Sequence, residues 1–218
     1  MPERDSSRRP GRPKGSDTAS REKLLYAALA AFARLGYEGA RLRDIAGEAG
    51  FDVSMIAHHF GSKAELWTAV VDELKRRQIP RLAEFERLAQ PELPLAFRLS
   101  HGIATFIDQL TTEPDAVSFI TRQLSEPGER QDYLVERLIR PSAVCCTPLW
   151  REAMEAGIIK RVDPVVFHLG LFGGLATVLA SREVIARISG NQRSLPELKE
   201  EMLRGLLGNV LQLPEKSG

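Results

Sequence analysis

The sequence predicts an all-α protein, because apolar residues recur at helical spacing along most of the chain. No stretch shows the strict alternation of apolar and polar residues that indicates a half-buried strand. Two tetrapeptides, Ser62–Glu65 and Ser194–Glu197, have the spacing of a capping box, in which Ser and Glu side chains each satisfy a backbone N–H at a helix start. Periodicity and helix-start signals therefore agree on the fold class.

The first predicted helix begins near Ser20 and stops at Gly36, a residue that commonly ends helices. Its apolar residues fall on one face, which we expect to be buried: Leu24, Leu25, Ala28, Leu29, Phe32 and Leu35.

Two short helices, near 42–49 and 53–60, are expected to form a helix-turn-helix. Ala46 is small enough for a close helix crossing, and Gly50 can adopt the positive φ of a tight turn. The spacing of a small residue, glycine at +4 and aliphatic Ile56 at +10 is typical of this motif.

A fourth helix follows the first capping box, and Pro80 and the region from Pro91 to Pro94 mark the end of this unit. The later helical segments are expected at about 95–110, from 114, at 132–156 with interruptions near Pro141 and Pro148, from 163, and from 195 to 213.

The segment 165–179 is apolar on nearly all sides, so it must be buried all round. A second copy of the last two helices would cover it in a four-helix dimer interface. The alternative is a monomer core that the chain's own helices cover. The predicted interface residues are Leu171, Leu175, Leu179, Leu198, Met202, Leu206 and Val210.

The bulk composition is that of a soluble protein, and the formal net charge of the 218 residues is only +1. Nucleic-acid binding would therefore need locally concentrated positive charge. Adjacent Cys145 and Cys146 provide no disulfide framework, which suits a reducing cytoplasm. We expect no signal peptide and no membrane span, because the longest apolar stretch, 165–180, is too short.

Residues 1–19 are expected to form a basic, flexible tail. Between Arg4 and Lys14, five basic side chains oppose one acidic side chain. Pro10–Lys14 resembles the core of an AT-hook, which lays arginine in the minor groove. Arg9, Arg12 and Lys14 are thus candidate DNA contacts, and the alternative is a solvated tail without a target.

Residues 20–74 resemble the DNA-binding domain of the TetR family of repressors. The matching landmarks are Phe32–Tyr37, Arg43–Ala46, Ala49–Phe51 and, most specifically, His58–Lys63 followed by Glu65-Leu66. The resemblance implies a helix-turn-helix domain over 20–66 and a helical ligand-binding and dimerisation domain over 67–213.

The resemblance also implies roles for individual residues. Val53, Ser54, Met55, Ala57 and His58 correspond to the exposed face of the recognition helix, which enters the major groove. Lys63 corresponds to a lysine that meets a phosphate near a helix N-terminus.

The chain departs from the family pattern at two usual phosphate-contacting positions. Ala57 stands where a Tyr is common, and Ala40 and Arg41 where Ser or Thr is common. Arg41 and Arg43 are natural substitutes as phosphate contacts.

The family often binds a small molecule, and the middle of this chain combines large apolar residues with a few polar ones, as binding pockets do. The alternative is that each large residue belongs to the core. The candidate ligand-binding residues are Ile103, Phe106, Phe119, Arg122, Gln123, Trp150, Met154 and Phe172.

Other chemistry is not indicated. Gly170, Gly173 and Gly174 follow no strand and are interpreted as helix-packing residues. His58 and His59 point about 100° apart on a helix, so one DNA-facing and one packed residue is preferred to a metal site. We expect no cofactor, no metal and no enzymatic activity.

The sequence thus predicts a cytoplasmic, dimeric repressor of a palindromic double-stranded DNA operator, released by an unidentified small-molecule effector. The alternatives are a DNA-binding regulator without such a ligand and a small-molecule carrier or enzyme. Sequence-specific DNA affinity separates the carrier or enzyme from both regulators, and ligand-induced thermal stabilisation separates the two regulators.

Overall fold

The computed structural model describes the backbone of residues 14–207 and the side chains of residues 17–205. No strand occurs in this part of the chain, which confirms the predicted all-α class. The helices are α1 (Lys14–Gly39), α2 (Leu42–Glu48), α3 (Ser54–Phe60), α4 (Lys63–Leu88), α5 (Leu95–Thr112), α6 (Pro114–Leu124), α7 (Glu129–Leu134), α8 (Arg140–Glu155), α9 (Pro164–Ala180), α10 (Arg182–Ser189) and α11 (Leu195–Leu207).

The predicted tail is shorter than expected, because α1 begins at Lys14. Asp17 lies in its first turn, where a carboxylate interacts favourably with the positive end of the helix dipole. The helical geometry of α1 is interrupted at Gly36, which has φ 72°, and it resumes up to Gly39.

A first hydrophobic core joins the N-terminal helices to the middle of the chain. It contains Leu24 and Phe32 of α1, Ile45 and Ile56 of the two short helices, and Trp67 of α4. Phe119 of α6 and Leu134 and Leu138 belong to the same cluster. The boundary predicted at residue 66 therefore falls inside α4, and the two predicted domains share one core.

Proline interrupts the helices less than the sequence suggests. Helix α4 continues through Pro80 to Leu88, and α8 continues through Pro148. At Pro141 the disturbance takes the form of a π-helical turn, Val135–Ile139, between α7 and α8. Proline has no N–H to bond the carbonyl four residues earlier, which explains a wider turn there.

A second hydrophobic core lies among the C-terminal helices and contains four of the predicted dimer contacts. Leu171, Leu175, Leu198 and Met202 are buried within a single chain, and Leu179 packs partly against the same cluster. Leu171, Leu175, Leu198 and Met202 therefore offer little surface to a second chain, and the dimer interface assigned to these residues stays a prediction. The side chain of Leu206 and all of Val210 lie outside the described residues.

An ion pair between a buried arginine and a partly exposed glutamate lies at the edge of the second core. Arg98 is 2% exposed and pairs through both terminal nitrogens with Glu152, while it also donates to the carbonyl oxygens of Leu88 and Leu93. These bonds tie α5 to α8 and to the end of α4.

Within the described residues, no single helix is long and apolar enough to cross a membrane. The pair Pro164–Ala180 and Arg182–Ser189, bent by 68°, passes the same test jointly by length and composition only.

Candidate nucleic-acid interface and effector cleft

Helices α2 and α3 form a compact helix-turn-helix held from within. Gly50 has φ 79°, as the predicted turn requires, and the Phe51 N–H donates to the Ala46 carbonyl at 2.8 Å. Ala46 and Ile56 of the sequence pattern are buried together with Ile45, so these three residues form the inner side of the motif.

The start of α3 is capped by Asp52. Its Oδ1 accepts from the Ser54 N–H at 2.9 Å, and this bond lowers the pKa of the Asp52 carboxyl. Asp52, Val53 and Ser54 are all exposed at this turn.

The outer face of α3 carries the side chains that the sequence assigned to DNA. Val53, Ser54, Ala57 and His58 are exposed and Met55 is half-buried. These side chains are short and mostly apolar, so they suit contacts with thymine methyl groups and form few hydrogen bonds with base edges.

Cationic side chains flank this face. Arg41 and Arg43, before and at the start of α2, are both exposed. Lys63 starts α4, but its ammonium donates to the Glu38 carbonyl at 3.3 Å and lies 4.6 Å from the centre of the Tyr37 ring. Lys63 therefore also ties α4 to the end of α1. Arg9 and Arg12 lie outside the described residues, as does the side chain of Lys14.

Alanine at Arg41 or Arg43 should weaken binding to all DNA sequences alike, because phosphate contacts carry no sequence information. The log–log dependence of affinity on salt should become shallower by about 0.9 for each phosphate that is no longer neutralised. Fluorescence anisotropy at several salt concentrations measures this slope. Arg140→Ala, which removes an exposed arginine of α8 paired with Glu136 at 2.6 Å, is the control. An equal salt dependence in all three variants would show that Arg41 and Arg43 do not contact DNA phosphates.

A cleft opens between α4, α5, α6, α8 and α9. Its cavity volume is about 50 Å³, well below the roughly 300–1,000 Å³ typical of ligand pockets, so a drug-sized molecule fits only if the surrounding helices move apart. The apolar walls include Leu74, Leu110, Ile120 and Leu138, together with Phe106 and Phe172 from the predicted ligand set.

The other predicted ligand residues do not line this cleft. Ile103, Phe119, Trp150 and Met154 are core residues, and Gln123 is buried against the carbonyl of Glu126. For Ile103, Phe119, Trp150 and Met154 this burial supports the alternative that large apolar side chains at helical spacing belong to the core, and the ligand-binding role of the five residues stays a prediction. Arg122 instead donates to the carbonyl oxygens of Ala33 and Arg34 and so joins α6 to α1.

The polar residues that line the cleft were not predicted from the sequence. Arg81 and Glu113 form an ion pair at 3.1 Å. The Gln78 amide donates to the Leu138 carbonyl at 3.4 Å, which leaves its Oε1 buried without a hydrogen-bond partner. Gln109, Ser142 and His168 are further polar residues of the lining. Only His168, a lone histidine in an apolar helix, offered a signal in the sequence.

His168 acts as a neutral hydrogen-bonding group. Trp150 can only donate, so its Nε1–H at 3.4 Å makes Nδ1 of His168 an acceptor. The remaining proton therefore lies on Nε2, which donates to Ser142 Oγ at 3.2 Å. Burial lowers the pKa of His168 to about 4.

Stability should consequently fall on acidification. The unfolded histidine has a pKa of about 6.5, so between pH 6.5 and about 4 the unfolded chain binds a proton that the folded chain excludes. The contribution is fully present above pH 6.5 and falls by up to about 1.4 kcal/mol per unit as the pH decreases through this window. Urea unfolding at pH 7 and pH 5 should show a smaller difference for His168→Gln than for the wild type. Parallel pH dependences would refute this role of His168.

Helix α4 connects the cleft to the helix-turn-helix. Its N-terminal residue, Lys63, contacts α1, and its residues Leu74, Gln78 and Arg81 line the cleft. A movement of α4 caused by a molecule in the cleft would therefore change the contacts between the helix-turn-helix and helices α1 and α4.

One face of α9 remains apolar and exposed. Val166 is 65% and Leu169 38% exposed, and Gly170, Gly174 and Thr177 are exposed on the same side. A Cβ added at Gly170, Gly173 or Gly174 would meet nothing within 4 Å. The close helix packing that the sequence predicted at these three glycines therefore does not occur within one chain.

The chain is similar in sequence to known proteins. Residues 24–70 match the model of the family described as bacterial regulatory proteins, tetR family. The HTH-type transcriptional dual regulator CecR of Shigella flexneri is 30% identical over 132 residues, which are 56% of this chain and 59% of that protein. The match thus spans less than two thirds of the relative's length.

Solved structures share the fold over most of the chain. The fatty acid degradation regulator FadR from Bacillus halodurans aligns with a TM-score of 0.59 at 20% identity, over 86% of this chain and 94% of that chain. AibR, solved in complex with isovaleryl coenzyme A and operator DNA, aligns with a TM-score of 0.63 at 17% identity, over 85% of this chain and 97% of that chain.

Proposed function

We propose that this chain, whose residues 24–70 match the model of the bacterial regulatory proteins of the tetR family, is a homodimeric transcriptional repressor that a small-molecule effector releases from a palindromic operator. The observation that carries this proposal is the juxtaposition of an exposed recognition face on α3 with a partly polar cleft, the two connected by the continuous helix α4.

The DNA-binding unit is residues 20–66, extended through the shared helix α4. Arg41, Arg43 and Lys63 hold phosphates, and Val53, Ser54, Met55, Ala57 and His58 face the bases. Exposure of the two arginines and of most of α3 supports these roles. Changes at Ser54 or Met55 alter the preference among sequences.

The dimer forms through the exposed face of α9, within the unit 67–213. Val166 and Leu169 supply apolar area, and the glycines allow the backbones of two helices to approach closely. A twofold axis at this face presents two recognition helices to half-sites about one helical turn apart, or slightly more.

The effector binds in a widened form of the cleft, with an apolar body against Phe106 and Phe172 and a hydrogen-bond donor directed at Gln78 Oε1. The buried, unpartnered Oε1 supports a donor on the ligand, since an unsatisfied acceptor costs about 1–3 kcal/mol. AibR was solved with a bound coenzyme A ester, which supports an effector site in this fold.

We propose no enzymatic activity, because the matched family consists of regulatory proteins. The site of action is the cytoplasm, where the bacterial chromosome lies. The Shigella flexneri relative is called a dual regulator, so activation at some promoters is the second candidate direction of control.

Selection of binding sites from a random duplex library tests the proposal. The expected product is a near-palindrome whose complex contains two chains and weakens steeply with salt. Reporter transcription from the selected site then distinguishes repression from activation. Selection that enriches no sequence would refute the regulatory function.

A further inference from the structure

The buried histidine of α3 has an unexplained nitrogen. The side chain of His59 is only 6% exposed, yet its Nε2 has no hydrogen-bond partner. A buried nitrogen without a hydrogen-bond partner lowers the stability of the folded chain. The imidazole nitrogen of histidine is also one of the commonest metal ligands in proteins.

Two further ligand atoms face the same point. Asp17 Oδ1 lies 3.5 Å from Nε2 of His59 and 4.0 Å from Nε2 of His58, and all three atoms lie within 4.8 Å of one another. In a tetrahedral site with bonds of about 2.1 Å, neighbouring ligand atoms are about 3.4 Å apart. The distances from Asp17 Oδ1 to the two histidine nitrogens therefore differ from this ligand–ligand distance by only a few tenths of an ångström.

We propose that Asp17, His58 and His59 bind one divalent transition-metal ion, of the Zn²⁺, Ni²⁺ or Co²⁺ type, that joins the start of α1 to the recognition helix. Two imidazoles and one carboxylate suit these ions better than Mg²⁺ or Ca²⁺, which prefer oxygen ligands. Three protein ligands leave a fourth position for water or another oxygen ligand.

The expectation from the sequence, that one histidine points out and the other packs inside, describes the exposures correctly. His58 is 67% exposed, in contrast to His59. However, the two rings meet edge to face with centroids 5.0 Å apart, and Asp17 lies across both nitrogens. Helical spacing alone does not reveal this, because Asp17 comes from a different helix.

The ion would also change the charge beside the DNA. Without it, Asp17 places one negative charge next to His58 on the predicted DNA-facing helix, whereas a divalent ion makes the cluster positive by about one unit. This consequence rests on the proposed function, but metal binding itself does not.

Metal binding is tested on the full-length chain without a histidine tag, after treatment with a chelator. Titration with Zn²⁺ in a calorimeter should show one ion per chain, and Co²⁺ should give the visible ligand-field absorption of a site with nitrogen and oxygen ligands. Asp17→Asn and His59→Gln should each weaken the affinity by more than the roughly tenfold loss that even outer-shell changes cause.

His101→Gln is the matched control, since His101 is an exposed histidine that lies 3.1 Å from a carboxylate, that of Glu84. Asp17 is exposed, so Asp17→Asn should lower the thermal stability of the metal-free chain only slightly, by the loss of its interaction with the α1 dipole. Equal Zn²⁺ affinity in wild type and Asp17→Asn would overturn the site. Intense thiolate-to-cobalt charge-transfer bands would place the metal at Cys145 or Cys146 and would also overturn it.

The DNA readout uses the selected operator with and without Zn²⁺. Zn²⁺ should raise the operator affinity of the wild type and have no effect on Asp17→Asn. Zn²⁺ that binds at the site but leaves operator affinity unchanged would overturn the electrostatic consequence.

Discussion

Leu169→Arg should convert the dimer into monomers of 24.2 kDa, and operator affinity should fall by a hundredfold or more. Leu169 lies on the exposed face of α9 that the proposed twofold interface would bury, so each of the two chains would place an arginine in that interface. Two positive charges would then lie in an apolar contact, and each half-site would bind alone. Light scattering gives the mass, and anisotropy with the selected operator gives the affinity.

Leu93→Arg is the control, because Leu93 is also an exposed leucine, at 47%, but it lies between α4 and α5. It should leave both the mass and the operator affinity unchanged. By contrast, Leu175→Arg is unsuitable, since Leu175 is buried within one chain and its replacement would disrupt the core whether or not a dimer forms. A Leu169→Arg protein that remains dimeric would exclude this face as the interface.

An effector that enters the cleft should reduce operator affinity about a hundredfold, which corresponds to a coupling of about 2.7 kcal/mol. It acts only if it prefers a conformer in which α4 holds the recognition helices at the wrong spacing. Because the coupling is reciprocal, the operator should weaken effector binding by the same factor. Calorimetry with and without operator measures both quantities.

The Gln78→Leu variant identifies the cleft as the site. A panel of largely apolar compounds is screened for thermal stabilisation of the wild type, and each active compound is paired with an analogue that lacks its hydrogen-bond donor. The variant should bind the donor-bearing compound about tenfold more weakly, equivalent to about 1.4 kcal/mol, and discriminate poorly between the two. Unchanged discrimination would place the ligand elsewhere. Stabilising compounds that leave operator affinity intact would favour a regulator controlled in another way.

The helix-turn-helix could be read from the sequence because its determinants are local. Gly50 takes its positive φ within a turn of few residues, and Ser62 and Glu65 form the predicted capping box across three positions. Interactions between residues so close in the chain need no knowledge of distant neighbours. The interior and exterior sides of α3 follow from the same spacing.

The cleft and the dimer face depend on residues far apart in the chain. Gln78 and His168, from different helices, meet in the cleft only after α4 and α9 pack, and Asp17 reaches His59 in the same way. In α9 the apolar residues surround the helix, so periodicity contains no polar side that marks the surface. Packing against α5 and α8 buries Leu171 and Leu175, and this leaves Val166 and Leu169 outside. Local spacing thus specified which helices form, whereas the packing of distant helices determined which of their faces are free to bind.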